Sequence, residues 1–137
     1  MTEDTPRTGG LNDPALQAWI RRQMNNAVHE MMERGLVESL VVEAKPAWVL
    51  PCTLLIGKIR RQHQGSGFDW FICGDAPLSY TLSTVAATPR EAARHFALQW
   101  QLDAARQGDA GNELARKAGA LYQLVEQDVF WQKQGSE

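Results

Sequence analysis

Residues Thr88–Gln107 read TPREAARHFALQWQLDAARQ, and the interpretation of this stretch decides the fold. Thr88 is an N-cap residue, and Pro89 falls at the first helical position, where a missing N–H costs nothing. Glu91 stands three residues beyond the cap and completes a capping box. Gly108 supplies the residue type that commonly ends a helix. Between these signals Ala93, Phe96, Ala97, Trp100 and Ala104 recur at helical spacing, while Leu98, Leu102 and Ala105 form a second apolar face on the opposite side. A helix apolar on two sides is expected to be sandwiched between partners, which makes this one the spine of the fold.

Before this helix Gly74-Asp75-Ala76-Pro77 ends a strand sharply, and Leu78–Ala87 reads as a connecting loop with at most a short turn of helix. Leu54–Arg61 and Phe68–Gly74 are strands around the turn Gln64–Gly67. Centring that turn between Gly65 and Ser66 sets Ile59 opposite Ile72, Arg61 opposite Trp70 and Gly57 opposite Gly74. Leu55, Gly57 and Ile59 then share a face with Phe68, Trp70 and Ile72, as period-two alternation requires. Both faces are partly apolar, so the sheet is expected to be covered on both sides. Leu36–Leu50 favours extended structure but is interrupted by Pro46, and reads as a short or edge strand, or as two pieces broken at Lys45–Pro46.

At the N-terminal end Asp13 and Pro14 cap a helix whose stripe is Leu16, Ile20, Met24, Ala27 and Met31, widened by Trp19, Val28 and Met32 and ending at Gly35. At the other end Asn112 caps a last helix with the stripe Leu114, Ala118, Leu121, Val125 and Val129, closed by Phe130 and Trp131. The resulting order is α-β-β-β-α-α: an α+β fold in which a small antiparallel sheet, a central hairpin plus a short third strand, packs with three helices. Residues 1–12 read as a flexible tail, 13–134 as a single α+β domain and 135–137 as a second tail.

The 137-residue chain is 44% hydrophobic and 22% charged, ordinary globular composition, with a formal net charge of −2. That balance argues against binding nucleic acid or an anionic membrane through bulk charge. No apolar run reaches the roughly 18–20 residues of a membrane span, and the start lacks a signal-peptide pattern, so a cytoplasmic protein is expected. Two cysteines, Cys52 and Cys73, are too few for a disulfide framework or a zinc site. In the hairpin register above they are separated by roughly 20 Å, so both are expected to be buried free thiols.

Two separated motifs occur in order: Trp70-Phe71-Ile72-Cys73-Gly74-Asp75-Ala76-Pro77, and Arg94-His95-Phe96-Ala97-Leu98-Gln99-Trp100-Gln101. With Trp19 early in the first helix and Gly119-Ala120-Leu121-Tyr122 near the end, the chain resembles a family of small uncharacterised proteobacterial proteins labelled only as a domain of unknown function. The chain departs from that family's pattern at Leu78-Ser79-Tyr80, where an acidic residue before the Tyr is usual. The resemblance implies a soluble bacterial protein and no stated activity.

Candidate site residues are Trp48, Asp75, Arg90, Arg94, His95 and Trp131. His95 is a candidate general base oriented by Asp75, but one His and one Asp without a third group more often make a structural bridge between elements. Asp75 equally suits a turn residue capping N–H groups. Arg90 and Arg94, one turn apart, can grip a carboxylate or phosphate, or pair with Glu91 or Asp75. Five tryptophans are more than a core this size needs, and Trp48 and Trp131 are the two expected to be exposed as interface anchors. Histidines 29, 63 and 95 lack metal-ligand spacing, there is no phosphate loop, and neither a cofactor nor a metal is expected. Arg21-Arg22 and Arg60-Arg61 read as solvated edges. The leading expectation is a non-enzymatic interaction or adaptor protein with a protein partner or self-association. The alternative is a small ligand-binding protein or enzyme with a polar pocket around Asp75, Arg94 and His95.

Overall fold

The computed structural model describes residues 13–35, 41–61 and 67–132. The expected tails, the stretch Leu36–Leu40 and most of the turn Gln64–Gly67 lie outside the described residues. The elements are α1 (Pro14–Glu33), β1 (Val41–Leu50), β2 (Leu54–Arg61), β3 (Asp69–Gly74), β4 (Ser79–Leu82), α2 (Pro89–Gln107) and α3 (Asn112–Val125), with 3-10 turns at Ser83–Val85, Gly108–Gly111 and Asp128–Trp131. The fold is α+β, and the strands lie in one sheet in the order β1-β2-β3-β4. The chain divides into two compact units, one running to Tyr80 and the other from Thr81 to Gln132.

In the first unit α1 forms because the caps and the apolar period agree. The Asp13 carboxylate accepts from the Ala15 N–H at 3.1 Å, and Pro14 occupies the first turn. Leu16, Ile20, Met24, Ala27 and Met31 are all buried, the full stripe expected from the sequence. They pack with Val49, Leu55, Ile59, Phe71 and Cys73 in one core cluster, against which Trp19, Val28 and Met32 also rest.

The hairpin register differs from the expected one. Ile59 pairs with Asp69 instead of Ile72, and Gly57 pairs with Phe71 instead of Gly74. The shift is odd, so it turns β3 over: Leu55, Gly57 and Ile59 share their face with Cys73, Phe71 and Asp69. The physical reason is size. A Cβ on Gly57 would lie 2.4 Å from Phe71 Cζ, so the ring fills the space above the glycine. Residues of both faces are buried, Ile56, Trp70 and Ile72 on one and Leu55, Ile59 and Phe71 on the other.

β1 is a single edge strand that runs through Pro46, with pairing irregularities between Val41 and Glu43 and between Pro46 and Trp48. An edge strand tolerates a proline, and the extra residue re-aims the side chains beyond it. Trp48 thereby pairs with Ile56 and is buried, against the expectation of exposure. The sheet has a fourth strand, β4, within the segment Leu78–Ala87 that reads as a loop in sequence. Four residues are too few for alternation to announce itself, but Tyr80 and Thr81 are strand formers, and the Tyr80 hydroxyl donates to the buried Asp69 carboxylate.

Cys52 corrects a further expectation: it is exposed, with φ 56, in the turn between β1 and β2, whereas Cys73 is buried and both are free. Pro51 stops β1 early enough that Cys52 belongs to the turn and not to a strand.

In the second unit α2 is capped as its sequence predicts. The Glu91 N–H donates to Thr88 Oγ1 at 3.2 Å, and Glu91 Oε1 accepts from the Ala87 N–H at 2.8 Å. Ala93, Phe96, Ala97, Trp100 and Ala104 are buried and α3 packs against α2, burying Ala118, Leu121 and Val125. Gly111, not Asn112, is the N-cap of α3. Leu98, Leu102 and Ala105 are exposed, so α2 is covered on one side only and the sandwich expectation fails. The alanines account for the choice of face: they let a neighbouring backbone approach closely, which Leu98 and Leu102 would prevent.

Candidate functional site

Asp75 lies in the first unit, just after β3. Its N–H donates to the Thr53 carbonyl at 2.7 Å, which ties the Gly74–Pro77 turn to the β1–β2 connection. Gly74 has φ 104, and a Cβ there would lie 2.5 Å from that same carbonyl oxygen, so the turn requires glycine. The turn and α1 border an open cleft lined by Gln23, Asn26, Glu30, Cys73, Gly74 and Ala76. Burial pushes the Cys73 thiol up to about 12, and its Sγ rests 4.0 Å from the Gln23 carbonyl. A thiol held neutral in this way is not a nucleophile.

The remaining candidates from α2 and the C-terminal segment, Arg90, Arg94, His95 and Trp131, lie in the second unit. Arg90 turns to the end of α3: Nε donates to the Val125 carbonyl at 2.8 Å, and the guanidinium pairs with Asp128 at 2.8 Å. Trp131 is half-buried, and its indole N–H donates to the Leu124 carbonyl at 2.9 Å. Arg90 therefore satisfies a carbonyl that the last turn of a helix leaves without an intrahelical donor, while the Leu124 carbonyl accepts from both Trp131 and the Gln127 N–H, the latter at 3.1 Å. The expectation of Glu91 or Asp75 as the Arg90 partner is replaced by Asp128. Arg94 is exposed, and His95 is half-buried with its ring edge-on to Phe96 at 6.2 Å.

Two features of the surface are not among the candidates that the sequence suggests. The first is the outer face of α2. Leu98 is 44% exposed and Leu102 53%, one turn apart, with Arg94, Gln101 and Ala105 exposed around them. Its signal is present in the sequence, since those leucines form a recognisable apolar face. The second is a charged cleft of the sheet, lined by Glu43, Lys45, Lys58, Arg60, Gly67 and Phe68. Only the strand register brings its residues together. Among the described residues no group of three or more His, Cys, Asp or Glu side chains is placed to hold a metal ion, and no helix is long and apolar enough to cross a membrane.

Residues 14–131 match a family model described as a domain of unknown function (DUF4826). No curated protein and no solved structure matches the chain.

Proposed function

We propose, for a chain that belongs to the DUF4826 family, a non-enzymatic role as a bacterial, cytoplasmic interaction protein that presents the outer face of α2 to a protein partner. The observation that carries this reading is the placement of exposed apolar side chains. Among the described residues the large exposed ones are Leu82, Val85, Leu98, Leu102 and Val129, and all five fall in Thr81–Gln132. Leu98 and Leu102 stand on the side of α2 opposite its buried stripe. Two leucines at i and i+4 with alanine beside them are the anchor pattern of a helix that docks on a groove or on another helix. Arg94 and Gln101 give the strip a polar rim, which directs binding without adding buried charge.

The test is a double substitution, Leu98→Glu with Leu102→Glu. Both side chains are solvent-exposed, so the variant is expected to keep the wild-type urea midpoint. Wild type and variant are compared by capture from native bacterial lysate and, for a second copy as the partner, by sedimentation velocity. Loss of a captured protein or of self-association in the folded variant supports the reading. Identical capture and identical sedimentation of the two proteins overturn it.

A further inference from the structure

The pairing of β1, β2 and β3 collects charge on one face of the sheet. Glu43 pairs with Arg60, Lys45 pairs with Lys58, and Lys58 pairs in turn with Trp70. Alternation puts Glu43, Lys45, Lys58 and Arg60 on the same side as Phe68 and Trp70. Glu43, Lys45, Lys58, Arg60 and Phe68 border an open cleft.

Glu43 serves two cations, Arg60 at 3.3 Å and Lys45 at 3.7 Å. Lys58 instead lies over rings, its Nζ 4.4 Å from the centroid of Phe68 and 5.6 Å from that of Trp70. Trp70 is fully buried and edge-on to Phe68, so the ammonium sits on a fixed platform and not at the end of a free chain. Among the described residues, three cations and one carboxylate thus border the cleft. Lysines directly opposite each other on neighbouring strands repel and destabilise the pairing. A bound anion reverses the sign of that interaction, and an apolar group beside it can lie against Phe68.

We infer that the cleft bordered by Lys45, Lys58, Arg60 and Phe68 is a binding site for a small phosphomonoester. A phosphomonoester carries close to two negative charges at neutral pH, matching the surplus of three cations over one carboxylate. Lysine ammoniums and an arginine fork are the donors that phosphate oxygens accept. The ester substituent takes the aromatic wall. This site belongs to the first unit, and its assignment does not rest on the proposed role of α2.

The experiment titrates full-length protein with inorganic phosphate and with phenyl phosphate, followed by calorimetry and by the thermal midpoint. Both probes are expected to bind saturably and to raise the midpoint, phenyl phosphate more tightly because of its ring. Lys45→Gln and Lys58→Gln are each expected to weaken phenyl phosphate binding by roughly tenfold, the loss of about one charge-assisted contact. The Lys45 side chain is 62% exposed, so Lys45→Gln keeps the test valid if Lys58→Gln disturbs the ring platform. Absence of saturable binding by either probe, or binding unchanged in a folded Lys45→Gln variant, overturns the assignment.

Discussion

Gly57 and Phe71 face each other across β2 and β3, and the ring of Phe71 stands where a Cβ on Gly57 would be, with Cζ at 2.4 Å and Cε1 at 2.6 Å. Phe71 is fully buried within the core cluster beneath α1, so the ring has no free space into which to retreat. Gly57→Ala is therefore expected to destabilise the protein by about 1–3 kcal/mol, the usual cost of overpacking. Gly57→Ala combined with Phe71→Leu is expected to cost less than the two changes summed, because the smaller side chain makes room for the methyl group. Urea midpoints of the four proteins check this, and an unchanged midpoint in Gly57→Ala would refute the close approach.

Trp100 carries a second expectation. It is only 4% exposed and lies on the stripe of Ala93, Phe96, Ala97 and Ala104. Trp100→Ala is expected to cost about 3–5 kcal/mol, the usual loss when a large aromatic is removed from a core. Leu98→Ala, two residues away but exposed, is expected to leave the denaturant midpoint nearly unchanged. Equal losses from both changes would show that α2 is buried on both sides after all.

That contrast also shows where the sequence is legible. The stripe of α1 can be read in full because twenty residues repeat one period between a cap and a glycine. The two apolar faces of α2 are equally plain, yet periodicity does not tell which of two faces meets a neighbour. The hairpin register predicted from sequence is off by three residues, because the glycines and serine of the turn place its centre while the pairing itself obeys the fit of Phe71 over Gly57. The roles of Arg90 and Trp131 are hidden for another reason. Their acceptors are the backbone carbonyls of Val125 and Leu124, and every residue has a carbonyl, so no residue type marks the partner. Lys45 and Lys58 are far apart along the chain, and only the strand pairing makes them neighbours.

The cysteines should behave differently from each other. Cys52 is exposed in its turn and is expected to react promptly with a thiol reagent in the native protein, whereas Cys73 reacts only on unfolding. Burial raises the Cys73 thiol from 9.0 to about 12. As pH rises past 9.0 the unfolded thiol loses its proton while the folded one keeps it. The unfolded state then binds fewer protons, and stability falls with pH by up to about 1.4 kcal/mol per pH unit until the folded thiol also ionises. Cys73→Ala is expected to remove this part of the alkaline slope, measured as urea midpoints against pH. Identical slopes in the two proteins would refute it.

The end of α3 offers the last test, because Arg90 makes two contacts of different kinds there. Its Nε–H satisfies the carbonyl of Val125, a residue that is fully buried, while its guanidinium meets Asp128, whose side chain is 86% exposed. An exposed ion pair adds little to stability, but a helix-end carbonyl left without a donor loses its hydrogen bond outright. Arg90→Met keeps the aliphatic stem and removes both contacts, and it is expected to cost about 1–3 kcal/mol. Asp128→Asn removes only the charge and is expected to shift the urea midpoint barely at all. Raised salt should leave the Arg90→Met loss intact, since screening acts on the ion pair and not on the capped carbonyl. If Asp128→Asn costs as much as Arg90→Met, or if salt abolishes the difference between wild type and Arg90→Met, then the ion pair and not the cap holds the end of α3.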